Sequence, residues 1–130
     1  MSDNADPLFE GQKTLQKVED LYDAVDRTVD HWPNFYRMKF ALRIYEHLNH
    51  MEELCVAANK KYFKKSTLQE LDITNAQLQI LIRRVGKQTY RNRQGVERKL
   101  LPDGLREEWD RLTVEIGRLI GGWIKKQGDK

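Results

Sequence analysis

Apolar side chains recur along this chain at alternating intervals of three and four residues. Leu15, Val18, Tyr22, Val25, Val29 and Trp32 form one series; Ala41, Ile44, Leu48, Met51, Cys55 and Ala58 form a second. Such intervals keep side chains on one face of a 3.6-residue helix, so each series predicts an amphipathic helix. Pro33 lies between them. It cannot continue a helix but is well suited to start one. The first two helices should therefore meet in a tight antiparallel hairpin or a sharp kink. Phe40, Leu42, Tyr45 and Leu54 widen the buried face expected of the second helix.

Beyond "NKKYFKKS", Ser66 and Gln69 read as a capping box that opens a third helix. Leu71, Leu78, Ile82 and Val85 mark its buried side, with Leu81 adjacent. The stretch "YRNRQGVERKLLPDG" reads as a loop from its Gly, Pro and Asp content. Asp103 is placed to cap a fourth helix, whose apolar series is Leu105, Trp109, Leu112, Ile116, Leu119 and Trp123. Alternating strand patterns are weak and no solenoid repeat appears. The expected fold is all-α: an up-down four-helix bundle over residues 13–127, preceded by an acidic flexible tail over residues 1–12.

The chain has 130 residues, enough for one domain with its own core. No apolar run approaches the roughly 18 residues that span a bilayer, and the first residues lack the pattern of a secretory signal. One cysteine, Cys55, allows no internal disulfide. These features fit a cytoplasmic protein with no membrane contact.

Catalytic and metal chemistry find little support. "EHLNHMEE" puts Glu46, His50 and Glu53 at helical spacing. A di-metal bundle site, however, requires Glu-x-x-His elements, which are absent. Leu48 and Met51 claim the inward positions, which leaves those three groups facing outward. Cys55, on the apolar series, reads as an inert core thiol with a raised pKa. No Gly-rich phosphate loop is present. The expectation is a protein with no catalytic residue, metal or cofactor.

Charge changes this picture, because it is segregated. Residues 1–32 carry three basic and eight acidic side chains; residues 33–65 carry seven and three; residues 83–99 carry seven and one. Continued as a helix, the third segment aligns Arg83, Lys87 and Arg91 one turn apart opposite the core, with Arg84 beside them. Arg93, Arg98 and Lys99 follow in the loop. A solvated face is normally laced with both signs, whereas a run of cations alone suits phosphates. A second cluster places Lys60, Lys61, Lys64 and Lys65 around Tyr62 and Phe63. Cations interleaved with aromatics suit RNA. The plainer reading is a lysine-rich loop with Phe63 docked on the bundle. In an up-down bundle the two clusters fall at opposite ends, which favours backbone-directed binding along a track.

The fourth helix carries glycines inside an apolar pattern, "EIGRLIGGWIKK". Gly117 and Gly121 share a flank with Val114 and Ile124, beside the core series. Small residues four apart permit close approach of another backbone, so these four residues are the candidate subunit interface. A frayed C-terminal helix, where glycine costs little, is the alternative.

The stretch Ile116-Gly117-Arg118 to Gly121-Gly122-Trp123-Ile124, the paired arginines of "LQILIRRV", and Pro33 followed by Arg37 resemble the accessory variability determinant (Avd) proteins of diversity-generating retroelements. At lower detail they resemble the four-helix proteins of ribosomal RNA intervening sequences. The resemblance covers residues 20–127. Family members often carry a basic residue directly after the helix-two proline; here it is Asn34. The resemblance implies a homopentameric barrel of four-helix bundles, without catalytic activity, in a bacterial or phage-encoded system. It further implies that the protein binds a reverse transcriptase and its template-repeat RNA, supporting error-prone cDNA synthesis in mutagenic retrohoming. A bundle that contacts only proteins, without direct nucleic-acid binding, is the competing expectation.

Overall fold

A computed structural model describes residues 7–127 of the chain. Helix α1 spans Pro7–Val29. The short α2 (Asn34–Tyr36), a π-helical segment (Arg37–Ala41) and α3 (Leu42–Lys60) follow as one continuous rod. Helix α4 spans Lys65–Val85, strands β1 (Thr89–Arg91) and β2 (Glu97–Lys99) form a hairpin, and α5 spans Asp103–Gln127. The long helices pack in a ring, α1 on α3, α3 on α4, α4 on α5 and α5 on α1. This is the expected all-α four-helix bundle. Of the expected N-terminal tail, residues 1–6 lie outside the described residues, and from Pro7 the chain is already helical.

The core follows the three-four series closely. Val18, Val25, Val29, Ile44, Leu48, Met51, Cys55, Leu71, Leu78, Ile82, Trp109, Ile116 and Trp123 are all buried. Burial pushes the Cys55 thiol up to about 12, with the neighbouring Glu52 charge adding to the effect, so the thiolate is suppressed. Leu42 departs from expectation: it is 57% exposed. The Ala41–Ile44–Leu48 series already fills the inward face, and Leu42 lies away from it. On α5, Leu119 is only half-buried, and Ile120 takes the place in the core that the spacing assigned to it.

Polar pairs join the neighbouring helices. Between α1 and α3, Tyr22 donates to Asn49 Oδ1 at 3.0 Å and Tyr45 donates to Asp26 Oδ1. Burial and that hydrogen bond both raise the Tyr45 pKa. Between α1 and α5, Lys17 pairs with Glu115 at 3.4 Å and Arg27 with Glu108 at 3.7 Å. His50 reaches Glu70 across α3 and α4 at 2.7 Å. This outward His50 thus has a structural partner on the adjacent helix.

Two helix starts differ from the sequence expectation. Helix α4 begins at Lys65 with no side-chain cap, so the Ser66–Gln69 capping box does not form. Starting two residues early makes Ser66 the second residue of the helix, where its hydroxyl is past the cap position. At α5, Arg106 N–H bonds to the Pro102 carbonyl at 2.9 Å, so Asp103 is the first helical residue and not the cap. Its carboxylate accepts instead from Lys99 at 2.8 Å, and that ammonium holds its pKa below the usual range. An acid in the first turn remains favourable against the helix dipole.

Candidate nucleic-acid interface

The clearest correction falls on the segment after Val85. The chain does not continue as a helix, so Arg83, Lys87 and Arg91 do not form one helical stripe. Helix α4 ends at Val85 with Gly86 as its cap, and Thr89, Tyr90 and Arg91 pair antiparallel with Lys99, Arg98 and Glu97. The turn between the strands is built by Asn92, whose side-chain oxygen accepts from the backbone of Gln94 and Val96 at 3.0 and 2.9 Å. Gly95 N–H bonds to the Asn92 carbonyl, and Gly95 adopts a φ of 76°. That left-handed conformation is nearly free for glycine and costly for a side chain. Asn92 and Gly95 between Thr89, Tyr90 and Val96 were the readable hairpin signal.

The hairpin is anchored to the bundle end formed by the α1–α2 corner. Trp32 Nε1 donates to the Leu100 carbonyl at 2.8 Å, and Leu100 and Leu101 are buried. Tyr36 donates to the Thr89 carbonyl at 3.2 Å, and its ring lies 6.3 Å from that of Tyr90. The anchoring brings β1 and β2 beside the N-terminal half of the α2–α3 rod. Its cations Arg37, Lys39 and Arg43 therefore join Arg84, Lys87, Arg91, Arg93 and Arg98 at one end. Those three lie outside the charge run of residues 83–99 and are far from it along the chain.

The cations differ in how far they are already engaged. Lys99 is held by Asp103, Arg91 Nη1 donates to the Gly95 carbonyl at 3.3 Å, and Arg37 donates to Asn34 at 2.8 Å. Arg83 lies in the α4–α5 groove with Gln79, Arg106 and Asp110. Arg84 faces the α3–α4 groove, where Arg43, His47, Gln77, Ile80 and Leu81 line a cavity of about 290 Å³. Neither Arg43 nor Arg84 forms an ion pair among the described residues.

The second cluster sits at the opposite bundle end, about 30 Å away by the rise of a helix of this length. Lys60 ends α3 and Lys65 starts α4, both exposed. Lys61 donates to Thr67 Oγ1 at 3.0 Å, and the Lys64 ammonium lies 5.8 Å from the centre of the Trp123 ring. Phe63 does not dock on the bundle as expected. It is 78% exposed and packs edge-on against Tyr62, at 4.7 Å between centroids. The turn from α3 to α4 is too short for it to fold back, since Lys64 already occupies the Trp123 face.

The candidate interface residues on α5 separate into two kinds. Val114 is 53% exposed, and a Cβ added at Gly121 would meet open space. A Cβ at Gly117 would come within 3.3 Å of Asn75 Nδ2, which itself donates to the Thr113 carbonyl at 3.0 Å. Gly117 thus permits close packing of α4 on α5 within one chain. Ile124 is half-buried against the core.

A family model described as bAvd-like matches residues 13–127. The chain belongs to the bAvd-like family. No curated protein and no solved structure gives a significant match. Avd-like proteins are accessory proteins of diversity-generating retroelements, and the family is generally non-catalytic. In this Avd-like chain no three His, Cys, Asp or Glu side chains converge as a metal site among the described residues, and no described helix is long and apolar enough to cross a membrane.

Proposed function

We propose that this Avd-like protein is a non-catalytic RNA-binding subunit that holds the template-repeat RNA and the reverse transcriptase of its retroelement together during error-prone cDNA synthesis. The observation that carries this reading is the hairpin end. Arg43, Arg84, Lys87, Arg93 and Arg98 project there with no ion-pair partner among the described residues. Unpaired cations on neighbouring elements repel one another, and a polyanion removes that repulsion with release of counterions. Fluorescence anisotropy with template-repeat RNA over a salt series tests it. Binding that neither weakens with salt nor responds to loss of these charges contradicts it.

A separate observation favours a protein contact beside the RNA. Phe35 and Met38, 64% and 72% exposed, lie with Leu42 on the outer side of the α2–α3 rod. Lys39 stands over the Phe35 ring at 5.7 Å. Exposed apolar groups clustered on a basic surface suit the surface of a polymerase. The double variant Phe35→Ser, Met38→Ser should lose reverse-transcriptase capture at least tenfold and retain RNA affinity. If capture is retained and RNA binding is lost in full, the bundle's only partner on this face is the nucleic acid.

The homo-oligomer, expected as a pentamer, is proposed to use the exposed flank of α5 around Val114 and Gly121. Gly121→Leu fills open space without touching the chain's own core. It should leave helicity unchanged and reduce the mass seen by light scattering to that of the protomer. An unaltered mass overturns this interface. Gly117→Leu is the less informative variant, because it pushes on Asn75 first.

A further inference from the structure

We propose that the α3–α4 groove is a discrete phosphate-binding site, sized for one nucleotide, in which Arg43 and Arg84 grip the phosphate from opposite helices and Ile80 supports the sugar or base. The inference deepens the RNA reading and rests on it for the source of the phosphate, but not for the chemistry of the site.

The groove is built from two rigid helices. Arg43 and His47 stand one turn apart on α3; Gln77, Ile80, Leu81 and Arg84 stand on α4. His47 Nδ1 donates to the Arg43 carbonyl at 2.7 Å, which fixes the ring as a wall of the groove. Two guanidinium groups therefore share one groove with no carboxylate in its lining. Other charged grooves of the bundle are different. The α1–α5 groove sets Lys17, Arg27 and Arg111 among Asp20, Asp23 and Glu108, and the α4–α5 groove sets Arg83 and Arg106 beside Asp110. Among the described residues no carboxylate pairs with Arg43 or Arg84, so an anion supplied from outside can neutralise both.

Several features select a phosphate. A guanidinium presents paired N–H donors that match two phosphate oxygens, and arginines from opposite sides leave no oxygen dependent on one flexible side chain. The Gln77 amide adds an uncharged donor beside them. At about 290 Å³ the groove is at the lower end of small-ligand pockets, too small to seat a helix and suited to a single nucleotide. Ile80 is exposed at its edge, an apolar surface with no partner in the bundle that a ribose or base can cover.

The test is titration of the full chain with AMP, inorganic phosphate and adenosine, followed by heteronuclear NMR of the arginine side chains and the His47 ring. AMP and phosphate should shift Arg43, His47 and Arg84 saturably, and adenosine should not. The double variant Arg43→Gln, Arg84→Gln should weaken AMP at least tenfold, the loss expected for charge-assisted hydrogen bonds. Arg111→Gln, on the α1–α5 groove, should leave AMP binding unchanged. Shifts spread evenly over the basic surface, or AMP binding untouched by the double variant, overturn the site. Competition separates the two sources. Single-stranded RNA that displaces AMP from the groove identifies the phosphate as that of the RNA chain. If AMP fills the groove and RNA neither binds nor displaces it, the site stands as one for free nucleotides and the RNA reading falls. If RNA binds while AMP leaves the groove unmoved, the site falls and the RNA reading stands.

Discussion

Reversing Arg84, Lys87, Arg93 and Arg98 together to Glu should weaken RNA binding by about a thousandfold at 0.1 M salt. Each phosphate contact to a single strand contributes about 0.7 to the slope of log affinity against log salt. Between 1 M and 0.1 M salt that is about 0.7 decade per contact, so four contacts account for about three decades. The salt slope should fall by about 3 at the same time. That joint change distinguishes lost phosphate contacts from a general loss of folded protein. The four residues are exposed, so helicity should be unaffected. Reversal at the opposite end should cost less, since Lys61 already bonds to Thr67 and Lys64 already lies against Trp123. Gel shift and anisotropy over a salt series measure both quantities; an unchanged slope rules the hairpin end out as the phosphate surface.

Trp109→Ala should be the most damaging single core substitution, costing about 3–5 kcal/mol. Trp109 is fully buried and its ring lies 6.4 Å from that of Trp32, where α1 and α5 meet beneath the hairpin. Against a typical domain stability of about 5–15 kcal/mol, that loss removes a large share of the stability. Trp109→Phe should cost much less. The Trp109 indole N–H has no hydrogen-bond partner among the described residues, so its removal takes away a donor while most of the aromatic volume remains. Trp32→Phe should be worse than Trp109→Phe, because Trp32 N–H donates to the Leu100 carbonyl and that bond seats the hairpin. Urea denaturation of the three variants gives the order directly. Trp109→Phe as harmful as Trp109→Ala contradicts the packing account.

Much of this architecture is legible in the spacing of apolar residues. The three-four series of α1, α3 and α4 coincide with buried faces, because a helix can hide only one stripe and the bundle leaves one place to put it. Cys55 was readable as inert for the same reason. The boundaries were less legible. Asp103 is the first and Ser66 the second residue of its helix, since a competing carbonyl, that of Pro102 or Lys64, closes the first turn just as well. The hairpin was missed because its strands are three residues each and mostly exposed, too short for alternation to register. Asn92 and Gly95 held the only strong local signal.

The candidate site was half visible. Arg83, Arg84, Lys87, Arg91, Arg93 and Arg98 stand close in sequence, so their charge showed as a run. Arg43 and His47 did not, since their neighbour Arg84 is about forty positions away and only the packing of α3 on α4 brings them together.

The sequence by itself determined the helices, the inward face of each and the segregation of charge, because these depend on periodicity and composition over a few turns. Only the tertiary structure decided which cations meet, which are already engaged, and where an apolar surface stays open. Those properties depend on contacts between residues distant in the chain, and the ring packing of α1, α3, α4 and α5 sets them. Arg43 beside Arg84, and Gly117 against Asn75, are its products.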